Sequence, residues 1–190
     1  MDSKRTSLKP EWQEILLVAV CGAICGFQLF VPPYIGLANN GDFAKVFGRF
    51  ACAPPDGTAR NFRYFVSDYE FNPKYLWESE VQSSENMLAG IPILLAKASG
   101  APAFNIRWLG ALHLVLFLCA YYFLLMYLRR FGRGLQFAIG GFALLLFTDV
   151  AYVSYFNSFF NDTAAMLGLL LMVPLALLLT DGRPPGGWTV

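Results

Sequence analysis

The sequence predicts an all-α integral membrane protein, with four transmembrane helices and one long loop outside the cytoplasm. Of its 190 residues, 56% are hydrophobic and only 14% are charged, against about 25% charged in a typical soluble domain. A membrane-spanning helix needs about 20 consecutive apolar residues. The segments that meet this requirement are 15–31, 108–128, 135–156 and 163–180. We therefore expect residues 1–190 to form a single membrane domain.

The first apolar segment, 15–31, is interpreted as an uncleaved membrane anchor. It follows Lys4, Arg5 and Lys9, as the apolar part of a signal peptide would. Its apolar stretch is longer than that of a usual signal, however, and two prolines follow it where a cleavage site of small residues would be needed.

Basic residues in the short loops predict how the helices are oriented. Arg129, Arg130 and Arg133 crowd the loop between the second and third spans, whereas the turn 157–162 before the fourth span contains no base. Because Lys and Arg accumulate on the cytoplasmic side, both chain ends are expected in the cytoplasm. The loop 32–107 and the turn 157–162 are then outside, and the protein is expected in the inner (plasma) membrane.

The long loop is predicted to contain two amphipathic helices on the membrane surface. In the first, Asp42 caps residues 43–50, whose apolar side chains recur at helical spacing. Lys45 and Arg49 lie on another face of that helix and are available to a phosphate. The apolar side chains are Phe43, Val46, Phe47 and Phe50.

The second loop helix is predicted to open at residues 83–86, because a Ser cap and an acid in the first turn both favour a helix start. The acid is Glu85, and an apolar run follows over residues 87–98. This run is too short to span a membrane and is expected to dip into the interface. For the aromatic segment 61–71, a short strand and an aromatic patch both stay open.

Composition and residue counts argue against several other functions. The net charge of +1 argues against nucleic-acid binding, which needs a basic stripe. The only histidine is His113, so no histidine cluster for zinc is available, and His113 is interpreted as a packing or hydrogen-bonding residue. Cys21 and Cys25 lie in an apolar run and are interpreted as small packing residues.

Carboxylates near the outer face are the candidates for chemistry. Asp42 follows the first span and is either a helix cap or a carboxylate that acts as a general base or metal ligand. Asp162 precedes the fourth span and is either a cap or a second carboxylate facing Asp42. Asp149 lies within the third span, where an ionisable group is a functional candidate, although it fits the frayed end of a helix equally well. The segment 155–160 offers aromatic rings and Asn157 for stacking on a sugar.

The layout resembles the N-terminal module of the GT-C class of membrane glycosyltransferases. The segment 39–43, NNGDF, matches the acidic position that follows the first span in that class, and FNDT, residues 160–163, matches the second acidic position. The resemblance extends over nearly the whole chain in topology, and its motifs are short.

The resemblance implies transfer of a sugar from a polyprenyl-phosphate donor to an acceptor outside the cytoplasm. Asp42 would be the base that activates the acceptor hydroxyl, or a ligand to a metal ion that does so. Asp162 would help to hold the acceptor or the divalent cation. The residues expected to bind substrate are Asn40, Lys45, Arg49, Arg107 and Asn157. GT-C enzymes normally have many more spans, so the chain is interpreted as the front part of a longer protein. A paired Asp-x-Asp is missing, which leaves the need for a metal open.

Two other functions compete with the glycosyltransferase hypothesis. One is a non-enzymatic subunit or scaffold of an envelope-assembly complex. The other is a transporter fragment with Asp149 in the transport path, which predicts a water-filled cavity at that residue.

Overall fold

The computed structural model describes residues 11–39, 41–55, 65–76 and 82–181. Its helices are α1 (Trp12–Phe30), α2 (Ala44–Phe47), α3 (Ser84–Ala98), α4 (Arg107–Leu128), α5 (Arg133–Phe147), α6 (Val150–Val153) and α7 (Asn161–Asp181). Its strands are β1 (Cys52–Ala53), β2 (Asp68–Phe71) and β3 (Ala103–Asn105). Short 3-10 turns extend α2 over Gly48–Phe50 and α4 over Arg129–Phe131.

Three helices, α1, α4 and α7, are long and apolar enough to cross a membrane. In the most apolar stretch of α4, 50% is buried inside the protein, compared with 28% of the corresponding stretch of α1 and 22% of that of α7. Helix α4 is therefore the central helix of the bundle. The other two helices leave wide apolar faces uncovered, as expected for helices that contact lipid. The chain is thus a multi-pass membrane protein.

The third predicted span, 135–156, is not one continuous helix. Helix α5 ends at Phe147, and its 15 residues extend for only about 22 Å. Asp149 then caps the one-turn helix α6, because its side chain accepts a hydrogen bond from the Ala151 amide at 2.8 Å. The chain still runs from Arg133, at one end of the bundle, to Phe159 at the other. That this broken segment crosses the bilayer stays a prediction.

The core between the long helices is apolar and tightly packed. Cys21 and Cys25 are fully buried in it, in agreement with their interpretation as packing residues. Gly140 on α5 faces α4 so closely that an added Cβ would lie 2.5 Å from a methyl carbon of Leu125. The Tyr121 hydroxyl donates a hydrogen bond to the Gly140 carbonyl at 2.9 Å, which further ties these two helices together.

The prediction of an all-α fold is wrong for the long loop. Strands β1, β2 and β3 form an antiparallel sheet in that order, with Cys52 opposite Phe71 and Tyr69 opposite Phe104. The aromatic segment therefore contains a strand from Asp68 onward. Strands β1 and β3 have only two and three residues, which is too short for an alternating pattern to be recognised in the sequence.

The loop folds around an apolar core that it shares with Phe159, and we call this core the outer aromatic cluster. The ends of the bundle are named outer and inner after the sides on which the sequence predicts them. It consists of Phe43, Phe47, Tyr69, Phe104 and Phe159. The Phe159 ring packs against each of the other four, with centroids 5.0 to 6.1 Å apart. Burial raises the pKa of the Tyr69 hydroxyl and raises that of the neighbouring Cys52 thiol to about 12.

This cluster corrects the prediction for the first loop helix. Phe43, Val46 and Phe47 are buried inside the protein, so their face is not available to lipid. Helical spacing identified that face correctly, but spacing alone does not distinguish a lipid partner from a protein partner.

Helix α3 differs from α2, because its exposed side is apolar as well as its buried side. Ser83 caps it and accepts a hydrogen bond from the Asn86 amide. Ala89 and Ile93 are buried against the protein. The side chains on the opposite face are exposed, and they are Met87, Ile91, Leu94 and Leu95. Contact of that face with the membrane interface stays a prediction.

Candidate functional site: outer carboxylates above a buried polar junction

Asp42 lies at the start of the short helix α2, but its carboxylate does not cap that helix. The N-cap residue is Phe43, and no side-chain capping bond is present. Asp42 instead pairs with the Lys45 ammonium at 2.6 Å, with side chains 45% and 38% exposed. The carboxylate is therefore reachable from outside, and a cation lies beside it.

Asp162 is exposed in the first turn of α7, where a negative charge is favoured by the helix dipole. It follows Phe159 by three residues, and Asp42 directly precedes Phe43. The Phe43 and Phe159 rings are 6.1 Å apart. Both carboxylates thus belong to segments anchored in the outer aromatic cluster, at the same end of the bundle.

Arg107 is the basic residue at the outer end of α4. Its Nε donates to the Asn105 side chain at 2.9 Å, and its guanidinium carbon lies 4.5 Å from the centre of the Tyr34 ring. The neighbouring Trp108 is exposed, as expected for a residue at a membrane interface. These contacts hold the guanidinium in one orientation at the start of α4.

The other residues expected to bind substrate differ from Arg107 in their burial and in their neighbours. Lys45 and Arg49 are partly buried on α2 and on the 3-10 turn that extends it. Asn40 lies outside the described residues. Lys97, which the sequence analysis did not select, donates to the Phe50 carbonyl and so adds a cation near Arg49.

Asn157 is fully buried and holds loops together. Its amide donates to the carbonyls of Leu29 at 3.2 Å and Ile35 at 2.8 Å. Its Oδ1 lies 2.0 Å from the position that a Cβ on Gly110 would occupy. Only glycine at position 110 leaves room for this side chain, and in this arrangement Asn157 has no exposed surface to offer a sugar.

Glu85 and His113 form a buried pair that the sequence analysis missed. Glu85 Oε1 lies 3.3 Å from His113 Nε2, and both side chains are 0% exposed. His113 Nδ1 donates to the Phe156 carbonyl at 2.9 Å, since a carbonyl oxygen only accepts. A single histidine in a span and an acid in a neighbouring helix were the available signals, but nothing in the sequence paired them.

A hydrogen bond between α3 and α7 completes this region. The Ser83 hydroxyl donates to the Asn161 side chain at 2.9 Å. We call the group formed by Ser83, Glu85, His113, Asn157 and Asn161 the outer polar junction. It lies under the segment that carries Asp162 and joins three helices to the turn 156–160.

A second buried group, the inner polar junction, lies at the other end of the bundle. Glu14 on α1 accepts from Arg129 Nε at 2.8 Å and from Gln136 at 3.0 Å. Glu14 also accepts from the Glu11 backbone amide, which forms a capping box at the start of α1. Arg129 therefore has acidic partners on the first helix, which its neighbours in sequence do not provide.

The described residues bear on two expectations, a group of metal ligands and a cavity beside Asp149. Among these residues, no three His, Cys, Asp or Glu side chains converge in a metal-binding arrangement. A cavity of about 250 Å³ between α4, α5 and α7 is lined almost entirely by apolar side chains. Asp149 is not among its lining residues and instead caps α6 at the surface.

Comparison with known proteins identifies a family. Residues 3–186 match the family model described as the YfdI N-terminal transmembrane domain. No curated protein and no solved structure matches the chain.

Proposed function

The chain belongs to the YfdI N-terminal transmembrane domain family, and from this membership and the outer carboxylates we propose that it serves a GT-C type glycosyltransferase. In this proposal a sugar moves from a polyprenyl-phosphate donor to an acceptor hydroxyl on the extracytoplasmic side. The observation that carries it is the anchoring of the Asp42 and Asp162 segments in one aromatic cluster.

Asp42 is assigned the role of general base. A carboxylate that is 45% exposed beside Lys45 can accept the proton of an acceptor hydroxyl as the new glycosidic bond forms and the donor phosphate departs. A positioned base of this kind contributes about 10²–10⁴-fold in rate. Asp162, exposed at the start of α7, would hold the acceptor through its other hydroxyls.

The cations are assigned to the donor phosphate. Arg107 is fixed by Asn105 and Tyr34 at the interface, where the phosphate of a membrane-bound donor would lie. Guanidinium groups bind phosphate through charge-assisted hydrogen bonds. Lys45 and Arg49 would add positive charge for the same phosphate, and Asn40 remains a candidate contact from the NNGDF segment. The burial of Asn157 favours a supporting role over contact with the sugar.

A sugar-transfer assay with Asp42→Asn tests the central assignment. The natural full-length protein is assayed in membranes with polyprenyl-phosphate sugar as donor, and the folded fraction is checked separately. We expect transfer to fall by about 10²-fold or more. Glu70→Gln is the matched control, because Glu70 is an exposed carboxylate on β2 with no role in the proposal. Full transfer in Asp42→Asn would contradict the assignment.

A non-enzymatic subunit is the second candidate, and helix α3 favours it. The exposed apolar face of α3 is suited to a protein partner as well as to lipid. The same assay separates the two functions. If the wild-type protein shows no transfer while Leu94→Asp prevents its assembly with other envelope proteins, the subunit function is supported instead.

A further inference from the structure

The strongest unexplained feature outside the proposed catalytic residues is the contact between Glu85 and His113. Glu85 Oε1 lies 3.3 Å from His113 Nε2, and each of these atoms is the polar neighbour of the other among the described residues. The two oxygens of Glu85 and the Nε2 atom of His113 make no well-aligned hydrogen bond with any described residue. Both side chains are sealed from solvent.

The hydrogen bond on the other side of the imidazole ring determines what faces Glu85. His113 Nδ1 must carry a hydrogen, because it lies 2.9 Å from the Phe156 carbonyl oxygen, which is purely an acceptor. In a neutral imidazole the second nitrogen, Nε2, is then an acceptor as well. A carboxylate oxygen and a bare Nε2 would face each other with lone pairs and would repel.

Charge leads to the same conclusion as hydrogen bonding. A carboxylate beside a neutral imidazole leaves one net negative charge in a dry site, which is costly. One additional proton between the two atoms makes the pair neutral overall and supplies the missing donor. The proton then lies on Nε2 as an ion pair or on Oε1 as a neutral acid, and either arrangement replaces the repulsion between lone pairs by attraction.

We propose that Glu85 and His113 bind one proton between them in a site sealed from water, and that this proton bridge fixes the turn 156–160 against α3 and α4. The bridge runs from Glu85 on α3 through the imidazole on α4 to the Phe156 carbonyl. Phe159 follows in the outer aromatic cluster, and Asp162 follows at the start of α7. Glu85 and His113 are thus positioning residues for the segment that carries Asp162.

This inference does not depend on sugar transfer, since the bridge positions the turn whatever reaction the outer surface supports. It predicts different outcomes for two substitutions of similar size. Glu85→Gln keeps a donor, because the amide N–H can bond to the lone pair of Nε2. Glu85→Leu removes the donor and leaves Nε2 buried without a partner.

Nitrogen NMR of the imidazole tests the proposal directly, because His113 is the only histidine in the sequence. The chain is labelled with ¹⁵N-histidine, purified without a histidine tag and reconstituted in lipid. We expect Nδ1 to be protonated and Nε2 to give the shift of a protonated or strongly hydrogen-bonded nitrogen. Glu85→Gln should keep Nε2 hydrogen-bonded, whereas Glu85→Leu should move it to the shift of a bare nitrogen.

Two results would overturn the proposal. One is a bare Nε2 in the wild-type spectrum, which needs no variant and is therefore informative even if Glu85→Leu fails to fold. The other is a wild-type Nε2 signal that moves when a chelator is added, because a metal ion would then occupy the place assigned to the proton. Failure of the sugar-transfer assay would leave these spectra unchanged, so the two proposals fail separately.

The consequence for the turn is tested by a disulfide. Ser83→Cys and Asn161→Cys, in a background without the native cysteines, join the two residues that hydrogen-bond across α3 and α7. We expect oxidation to form this disulfide readily with Glu85 or Gln at position 85 and much more slowly with Glu85→Leu. Equal rates in all three backgrounds would show that the bridge does not position the turn.

Discussion

The two ends of the helix bundle both bury charged side chains, but they satisfy them differently. At the inner end, Glu14 receives hydrogen bonds from Arg129, Gln136 and its own helix cap. At the outer end, His113 is the one polar contact of the Glu85 carboxylate among the described residues, at 3.3 Å. The inner carboxylate is therefore well satisfied, whereas the outer one depends on a proton.

This difference indicates different roles for the two ends. A buried ion pair with several hydrogen bonds fixes one arrangement of helices. The inner end therefore has a structural role, in which it holds α1, α4 and α5 together. A buried carboxylate without an aligned hydrogen-bond donor is rare in native proteins and calls for an explanation, of which a functional role is one. The outer junction lies beneath the segments of the candidate catalytic residues, so its polar atoms are placed where function would require them.

The largest expected stability effect is at the inner end, with Glu14→Ala. Removing one partner of a buried ion pair costs about 3–5 kcal/mol, because the Arg129 guanidinium, whose side chain is 13% exposed, keeps its charge and loses a paired acceptor. Unfolding in mixed micelles, followed by circular dichroism, measures the change in the free energy of unfolding.

The matched control for this prediction is Lys45→Ala, which breaks the exposed pair between Lys45 and Asp42. Exposed pairs contribute only about 0–1 kcal/mol. If Glu14→Ala lowers the free energy of unfolding no more than Lys45→Ala does, the inner junction does not hold the helices together and the contrast between the two ends is lost.

A smaller effect is expected at the outer end, with Gly110→Ala. The added Cβ would lie 2.0 Å from Asn157 Oδ1 and 3.5 Å from the Phe156 carbonyl oxygen, so the Asn157 side chain must move. Inserting a group into such a packed site costs about 1–3 kcal/mol. The same unfolding experiment measures it, and proteolysis of the outer loop reports where the structure loosens.

Gly168→Ala is the control for the outer substitution. Gly168 lies on α7, and nothing approaches within 4 Å of an added Cβ there. Alanine favours a helix over glycine by up to about 1 kcal/mol, so this variant should be neutral or slightly more stable. Equal behaviour of the two alanine variants would show that Asn157 is not wedged against Gly110.

The sequence allowed the parts of the fold that depend on local pattern to be predicted. Runs of apolar residues identified the spans that became α1, α4 and α7, and Ser83 identified the start of α3. Asp149 was recognised as an interruption, although the end of α5 at Phe147 was not. Strands of two and three residues carry too little pattern to be recognised.

The candidate site was predictable only in part, for a physical reason. Asp42 and Asp162 were selected because an acidic residue next to a membrane span can be recognised in the sequence without knowledge of its partners. The pairing of Glu85 with His113, and that of Glu14 with Arg129, joins residues on different helices, and these contacts exist only after the chain has folded. The buried setting of Asn157 likewise depends on Gly110, a residue whose sequence position gave no sign of it.

The central claim is that the Asp42 and Asp162 segments share one outer surface, and a distance measurement tests it most directly. Spin labels are attached at Asp42→Cys and Asp162→Cys in a background without the native cysteines, in lipid vesicles. We predict a distance at the short end of the measurable range, with both labels reduced by an agent confined to the extracytoplasmic side. A long distance, or labels accessible from opposite sides of the membrane, would contradict the account.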